Sequence, residues 1–507
     1  MSKIETGEQY IESLRGRNLS VYLWGEALDE PVDHPLVRPS INAVAETYDL
    51  AARDPRLASA ISPITGERIN RFLHIAQSSD ELVMQGKMQR KMGQNTGTCF
   101  QRCVGMDALN ATYSVTYEID EARGTDYHKR FLRYLEQMQT QNLVIGGAMT
   151  DVKGDRSRPP HLQEDRDLHV HVVRRDEKGI YVRGAKAHQT GSINSHWLII
   201  MPTVRLEPEA SDFAVIAAVP VDAPGITYIY GRQSSDLRSM EAGTMDKGNF
   251  RFAGQETLII FEAVFIPWEQ VFMDGEHEFA AMLVDRFSCY HRRSYVCKSG
   301  VGDVLIGAAA SIAVYNGVPL AAHVRDKLVE MNHLNETIYG TGIAASHQGF
   351  PTKSGAYLPD TMLANVCKHH VTVLPYTISR IAQDLAGGLM VTMPSEADLR
   401  NPVTGDLIRK YLTANPEIET EDRMKMMRLI ENMCLGRNAV NYLTESVHGA
   451  GSPQAQRLQM YRQMQLPYRM GLAQCLAGID DAGGLDESKE SDNIAEYFTR
   501  VFRPEGV

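Results

Sequence analysis

The stretch Thr257-Leu-Ile-Ile-Phe-Glu-Ala-Val-Phe265 is dense in β-branched and aromatic residues, follows Gly254-Gln-Glu256, and reads as a strand. Four shorter runs of similar character precede it: Leu168–Val173, Gly179–Val182, Phe213–Val219 and Ile226–Tyr230. The turn sequences Asp176-Glu-Lys-Gly179 and Asp222-Ala-Pro-Gly225 separate them, so residues 151–275 are expected to form an antiparallel sheet or small β-barrel. Outward from this block the period changes. Residues 1–150 carry apolar side chains at three-to-four spacing in Ile41–Ala52 and Tyr127–Gln141, after a turn-rich Asp33–Ser40 that holds Pro35 and Pro39. Residues 276–507 return to helical periodicity, with helices expected near 278–298, 300–347, 360–388, 421–446 and 453–478. Helices, then strands, then a helix bundle is an α+β multidomain order.

At 507 residues the chain is long enough for two or three cores. Its 43% hydrophobic and 23% charged residues are those of an ordinary globular protein. A net charge of −11 with no dense Lys/Arg block argues against a nucleic-acid surface, so an anionic ligand would need a local basic pocket. The amino terminus lacks the apolar core of a signal peptide, and stretches such as Thr257–Trp268 and Val304–Val314 are too short to span a membrane. A cytoplasmic, reducing compartment is the expectation. Neither G-x-x-x-x-G-K-[ST] nor G-x-G-x-x-G after a strand occurs, which argues against P-loop and Rossmann enzymes.

Two cysteine-bearing segments stand out, Cys99-Phe-Gln-Arg-Cys103 and His291-Arg-Arg-Ser-Tyr-Val-Cys297-Lys298. Three thiols and an imidazole form a soft ligand set of the kind that holds iron–sulfur clusters or zinc. On spacing alone the metal case is weak, and Cys99 and Cys103 read first as small core residues, sharing a face if the segment is helical. Cys367, Cys434 and Cys475 fall in helical apolar patterns and read as core, whereas Cys289, two residues before His291, stays open.

Glycine-rich segments offer backbone that a pyrophosphate or an aromatic ring can approach closely, although each standing alone reads first as an ordinary turn or cap. They are Ala148-Met149-Thr150 with Asp151-Val-Lys153-Gly-Asp155-Arg156, Ala185-Lys-Ala-His188-Gln-Thr190-Gly-Ser192, Gly387-Gly388 and His448-Gly449-Ala-Gly451-Ser452-Pro-Gln454. His169 and His171 alternate and are expected to be a surface hairpin pair, and His369-His370 are expected to face solvent. Two carboxylates stand out by context. Glu256 opens the apolar strand, where burial would raise its pKa, and Glu445 lies three residues before His448.

Taken together these segments resemble the 4-hydroxybutyryl-CoA dehydratases, a branch of the 4-hydroxyphenylacetate 3-monooxygenase flavoprotein family. The resemblance starts at Glu8-Gln-Tyr-Ile-Glu-Ser-Leu-Arg15 and Asp33-His-Pro35…Arg38-Pro-Ser-Ile-Asn42. It continues through Cys99–Asp107, Gly184–His196, Gly254–Glu256, Ala386–Glu396 and Thr444–Gln454, in order along nearly the whole chain. It implies an acyl-CoA-dehydrogenase-like fold, with an N-terminal helical domain, a middle β-barrel and a C-terminal helix bundle. It also implies a homotetramer that binds a CoA ester, FAD and a [4Fe–4S] cluster. By matching motif the cluster ligands are Cys99, Cys103, His291 and Cys297, the cysteine pair being what separates the dehydratases from cluster-free monooxygenase relatives. FAD would be held by Met149, Thr150, Lys153, Asp155, Arg156, His188, Thr190, His448, Gly449, Gly451 and Ser452, with Gly387 and Gly388 acting on a neighbouring subunit's flavin.

The implied reaction breaks an unactivated C3–H bond of a 4-hydroxyacyl thioester. One-electron oxidation by the flavin would acidify that proton after C2 deprotonation, and iron would act as Lewis acid on the departing hydroxyl. His291, Tyr295, Lys298, Glu256 and Glu445 are the acid–base candidates, and Gln101 is expected to line the acyl pocket. Vinylacetyl-CoA isomerisation is the expected side activity. One departure concerns register: the dehydratase pattern has His-x6-Cys, whereas this chain has His291-x5-Cys297. On a regular helix such ligands diverge by roughly 120°, so a retained site requires the backbone to leave regular helical geometry.

Overall fold

A computed structural model describes residues 3–479, so residues 480–507 of the expected C-terminal domain lie outside the described residues. The N-terminal region is helical for visible reasons. Ser78 caps the Ser79–Thr96 helix by accepting from Glu81 N, and Gly97 at φ 61° ends it. Tyr127–Gln141 is helical over the expected span and stops at Asn142, which takes the left-handed conformation at φ 57°.

The middle region is not the closed antiparallel barrel expected from the sequence. It forms two sheets. One has six strands in the order Glu26–Ala27, Ser20–Leu23, Ile226–Tyr230, Glu256–Pro267, Gly179–Thr190 and His171–Asp176. The other has four, in the order Val271–Asp274, Val215–Pro220, Trp197–Ile200 and Ile145–Ala148. Ser20–Leu23 pairs in parallel with Ile226–Tyr230, and Ile145–Ala148 in parallel with Trp197–Ile200. Both recruited strands come from the first 150 residues: Ser20–Leu23 alternates exposed and buried over only four residues, and Ile145-Gly-Gly-Ala148 is buried throughout. His169 and His171 are not a surface pair. Both are buried near Phe213, with ring centroids 6.3 and 5.0 Å away.

In the C-terminal region the expected long helices are broken at definable points. The 300–347 stretch is two helices, Cys297–Tyr315 and Ala322–His347, parted by Asn316-Gly317-Val318-Pro319 with Gly317 at φ 75°. The 360–388 stretch divides at Thr372-Val373 into Thr361–Val371 and Leu374–Ala386. After Thr420–Cys434 the chain passes through a π-helical turn, Val440–Thr444, into the short Glu445–His448 helix. Such turns recur at functional sites because they re-aim side chains within a helical run. His277–Tyr315 contains an 18-residue window apolar enough to cross a membrane, but that window is 67% buried inside the fold.

Cys297–Tyr315 crosses Ser79–Thr96 at a glycine contact. A Cβ on Gly93 would lie 2.5 Å from Cys297 O, and one on Gly300 would lie 2.0 Å from Arg90 O. The crossing is clamped by Arg90, whose Nε donates to Asp303 at 2.9 Å and which also pairs with Glu336. This contact seats the helix that begins with Cys297.

Candidate active site

Cys99 and Cys103 do not share a helix. Beyond Gly97 the chain runs without helix through Cys99 and turns at Gln101, which adopts φ 66°, before Cys103 opens the Cys103–Arg123 helix. Gln101 itself is committed to the protein. Its amide donates to Ser40 O and Ala253 O at 2.9 and 3.2 Å, and its carbonyl accepts from Asn194 at 2.7 Å. It therefore pins the cysteine turn rather than presenting a free amide.

Facing this turn, the Ala280–Ser294 helix ends just past His291 and a new helix starts at Cys297. Between them Val296 N bonds Arg293 O, Lys298 N bonds Tyr295 O and Ser299 N bonds Val296 O, at 3.1, 2.9 and 3.1 Å. Each spans three residues rather than four, the spacing of a tighter 3₁₀ turn. The interval from His291 to Cys297 is therefore α-helical as far as Ser294 and tighter beyond it, which narrows the roughly 120° divergence of an unbroken helix. Cys297 meets Cys103, and their thiols share a hydrogen bond that favours the Cys297 thiolate against the opposing effect of burial. Burial instead pushes Cys99 and Cys103 well up, with the charge of Glu445 adding for Cys99 and the Cys297 sulfur for Cys103.

His291 Nδ1 lies 2.8 Å from Asp107 Oδ2, and Ser294 Oγ donates to Asp107 Oδ1 at 2.9 Å. That leaves Nε2 as the nitrogen free to ligate, in the orientation a carboxylate-supported metal histidine takes. Gln89 Nε2 donates to Cys103 Sγ at 3.2 Å and is itself held by buried Arg293. Among the described residues no three His, Cys, Asp or Glu side chains converge on a single-ion site. The three thiols and the imidazole, with their supporting hydrogen bonds, are a soft donor set of the kind that iron–sulfur clusters take. Cys289 takes no part: its thiol donates to Pro359 O at 3.2 Å.

The acid–base candidates meet beside this donor set. Lys298 Nζ donates to Glu445 Oε2 at 2.9 Å and to Asn441 O at 2.6 Å, and the Tyr295 hydroxyl donates to Glu445 Oε1 at 3.2 Å. Burial alone would raise Glu445, but the ammonium of Lys298 outweighs it and holds the carboxyl below the usual range. Glu256, taking a 2.7 Å hydrogen bond from Thr190 Oγ1, goes the other way: burial and the nearby Glu445 charge push it well up. Two carboxyl groups whose environments drive their pKa values apart divide base from acid.

The glycine-rich segments sort into three groups. Met149 and Thr150 are stitched to Gly179–Thr190 through Lys186 Nζ to Met149 O at 2.7 Å and Ala187 N to Thr150 O at 2.8 Å. Lys153 and His188 both have positive φ, 76° and 39°. Burial lowers the His188 pKa, with Lys153 next in influence and His448 and Glu445 also within electrostatic reach, so this segment borders the carboxylate cluster. Asp155 and Arg156 are exposed. Gly387 and Gly388 end the Leu374–Ala386 helix with nothing within 4 Å of where a Cβ would stand. Gly449 serves Tyr295, since its Cβ would lie 1.7 Å from the tyrosine hydroxyl oxygen. Gly451 approaches Arg292, and Ser452 caps the Pro453–Gln463 helix.

Sequence reasoning missed three residues. Asp107 sits one helical turn from Cys103, a position the i, i+4 rule could have flagged. Asn441 carries the carbonyl that receives Lys298. Lys368 is wholly buried, donates to Ser446 O, and its Nζ lies 3.8 Å from the Tyr295 ring centroid. The adjacent His369-His370 pair is half-buried and does not face solvent freely as expected.

The family models for 4-hydroxyphenylacetate 3-hydroxylase, N terminal and C terminal, match residues 6–273 and 280–478. The chain is 54% identical, over 94% of its length and 99% of the relative's, to the 4-hydroxybutyryl-CoA dehydratase/vinylacetyl-CoA-Delta-isomerase of Clostridium aminobutyricum. It is similar to the solved structure of an oxygen-tolerant archaeal 4-hydroxybutyryl-CoA dehydratase from N. maritimus, with TM-score 0.94, 65% identity and coverage of 99% of this chain and 100% of that one. The oxygenase component of 4-hydroxyphenylacetate 3-monooxygenase, solved with FAD, shares the fold at TM-score 0.81 and 22% identity, covering 94% of this chain and 100% of that one. With both halves of the fold matched and the site built on their junction, the chain belongs to the 4-hydroxyphenylacetate 3-hydroxylase family.

Proposed function

We propose that this protein removes water from 4-hydroxybutyryl-CoA to give crotonyl-CoA, with vinylacetyl-CoA isomerisation as a second activity of the same site. The observation that carries this reading is the meeting of Cys99, Cys103, Cys297 and His291 with the Glu445–Lys298–Tyr295 cluster. When bound, FAD supplies reversible one-electron oxidation of the acyl group, and a [4Fe–4S] cluster supplies a Lewis-acidic iron for the 4-hydroxyl.

The chain's own residues then divide the proton work. Glu445, kept ionised by Lys298, accepts the C2 proton. Glu256, kept protonated by burial, gives its proton to the departing 4-hydroxyl, which leaves as water, and then takes the C3 proton, while the proton on Glu445 returns to C4. Tyr295 donates to Glu445 and packs edge-on against the His291 imidazole at 5.3 Å between ring centroids, which fixes the two groups beside each other. The three cysteines and His291 would hold the cluster. Met149, Thr150, Lys153, His188 and Thr190 would line the flavin, with Asp155 and Arg156 at its outer edge. His448, Gly449, Gly451 and Ser452 would complete that wall. The open Gly387-Gly388 corner suits a flavin in a neighbouring subunit of a homotetramer. The test is an anaerobic assay with 4-hydroxybutyryl-CoA run beside iron and flavin quantitation. Flavin-loaded protein without iron that hydroxylates a phenol would replace this reading with the monooxygenase one.

A further inference from the structure

Two adjoining cavities of about 250 and 740 Å³ lie beneath the 232–250 segment and share Asp236, Arg238 and Arg437. Together they are lined by five cations, Arg38, Arg232, Arg238, Lys247 and Arg437, against two carboxylates, Asp33 and Asp236. In a chain of net charge −11 this is a local reversal of sign. Arg38 and Arg238 are neutralised by Asp33 and Asp236. Among the described residues the other three have no carboxylate partner: Arg232 donates to Ser235 O at 2.8 Å, Lys247 forms no ion pair, and Arg437 bonds Leu36 O at 2.6 Å. Arg437 is 6% exposed, and its Nε has no hydrogen-bond acceptor. A buried guanidinium with an unfilled donor, facing a basic cavity, calls for an anion.

The cavities also lie one layer of chain from the reacting groups. Asn249, in the first, donates to Thr96 O at 2.8 Å, just ahead of Cys99. Pro39, also in the first, accepts from Ala253 N at 3.1 Å, and Ala253 O receives the Gln101 amide. Arg232, in the second, follows Gly231, whose N–H donates to Glu256 O at 2.8 Å, and Thr444 of the second precedes Glu445. Exposed rings stand among the linings, Phe250 in the first and Tyr376 in the second, as a purine requires for stacking. We infer that this cleft takes the 3′-phosphoadenosine diphosphate end of the CoA thioester, an inference that rests on the CoA-ester reading above. The long flexible arm of such a thioester joins phosphates held near the surface to an acyl group beneath the same layer. An adenosine diphosphate is also part of FAD, but none of the candidate flavin residues lines either cavity.

Lys247→Glu and Arg232→Glu, each in the holoenzyme, separate the two sources. Turnover is compared for 4-hydroxybutyryl-CoA and for its N-acetylcysteamine thioester, which lacks every phosphate, and coenzyme A binding is followed by calorimetry. The expected result is at least a tenfold fall in the ratio of kcat/KM for the CoA ester to that for the truncated thioester, a matching loss of coenzyme A affinity, and full FAD content. An unchanged ratio with unchanged coenzyme A affinity overturns the inference, as does loss of FAD with the ratio preserved, which would assign the cleft to the flavin. If wild-type protein turns over neither thioester, the dehydratase reading fails. The cleft is then judged on coenzyme A binding alone, which must be present in wild type and weakened in Lys247→Glu.

Discussion

Two sulfur atoms of the same residue type and nearly the same sequence neighbourhood have opposite fates in this fold. Cys297 faces Cys103, whereas Cys289 is turned away onto Pro359. Anaerobically prepared protein should carry about four irons per chain, the content of a [4Fe–4S] centre. Cys297→Ser should lower that content and Cys289→Ser should leave it intact, as read by iron analysis. The opposite pattern would place the fourth corner on the wrong side of the helix. The carboxylates can be tested apart from the cysteines. Glu445→Gln and Glu256→Gln keep the side-chain shape but cannot exchange a proton, so turnover should fall by about 10²–10⁴-fold with flavin and iron retained. Near-native turnover in both would move the base to Tyr295 or His291. At this scale the sequence was informative about residue identity and poor about direction. Glu256 and Glu445 are evident from their neighbours, but that one is driven up and the other down depends on Lys298, which only the fold brings to Glu445.

At the scale of elements, the Gly93–Gly300 crossing determines where Cys297 can sit. A methyl group on Gly300 would meet the carbonyl of Arg90 rather than a movable side chain, so the helices must part. Gly300→Ala should therefore cost about 1–3 kcal/mol of stability by overpacking, and should lower iron content as well, because the helix it displaces begins at Cys297. Calorimetry and iron analysis on one preparation check both; a lower melting temperature with full iron would uncouple the crossing from the site. Strong elements such as Tyr127–Gln141 and Glu256–Pro267 were legible because their patterns are long and local. The two parallel-paired strands were not, being four residues each and placed in their sheets by partners distant in sequence. The helix break at Tyr295-Val296 carries no proline or glycine to announce it.

Over the whole molecule, one buried imidazole ties three regions together. His196 Nδ1 accepts the Val144 N–H at 2.9 Å and Nε2 lies 2.9 Å from Ser13 Oγ, joining the first helix, the Ile145–Ala148 strand and the adjoining Trp197–Ile200 strand. Burial, aided by Arg17 and Arg102, lowers its pKa from 6.5 to about 3. The unfolded chain thus takes up this proton below about pH 6.5 while the folded chain refuses it until near pH 3. Stability from this group is complete above pH 6.5 and is lost as the pH falls, by roughly 2 kcal/mol between pH 7 and pH 5. Denaturant titrations at those two pH values should show the loss in wild type and a shallower one in His196→Gln; identical slopes would remove His196 from the account. The dispersal of the donor set has a consequence for biogenesis. Cys99 and Cys297 stand almost two hundred residues apart and meet only after the N-terminal helices and the C-terminal bundle have docked. Cys99 and Cys103 lie in one segment and His291 and Cys297 in the other, so a cluster on the four proposed donors could be loaded only after both segments had docked. If these donors hold the proposed cluster, chain made faster than it is loaded would accumulate in a folded form that lacks iron, with its buried thiols unligated.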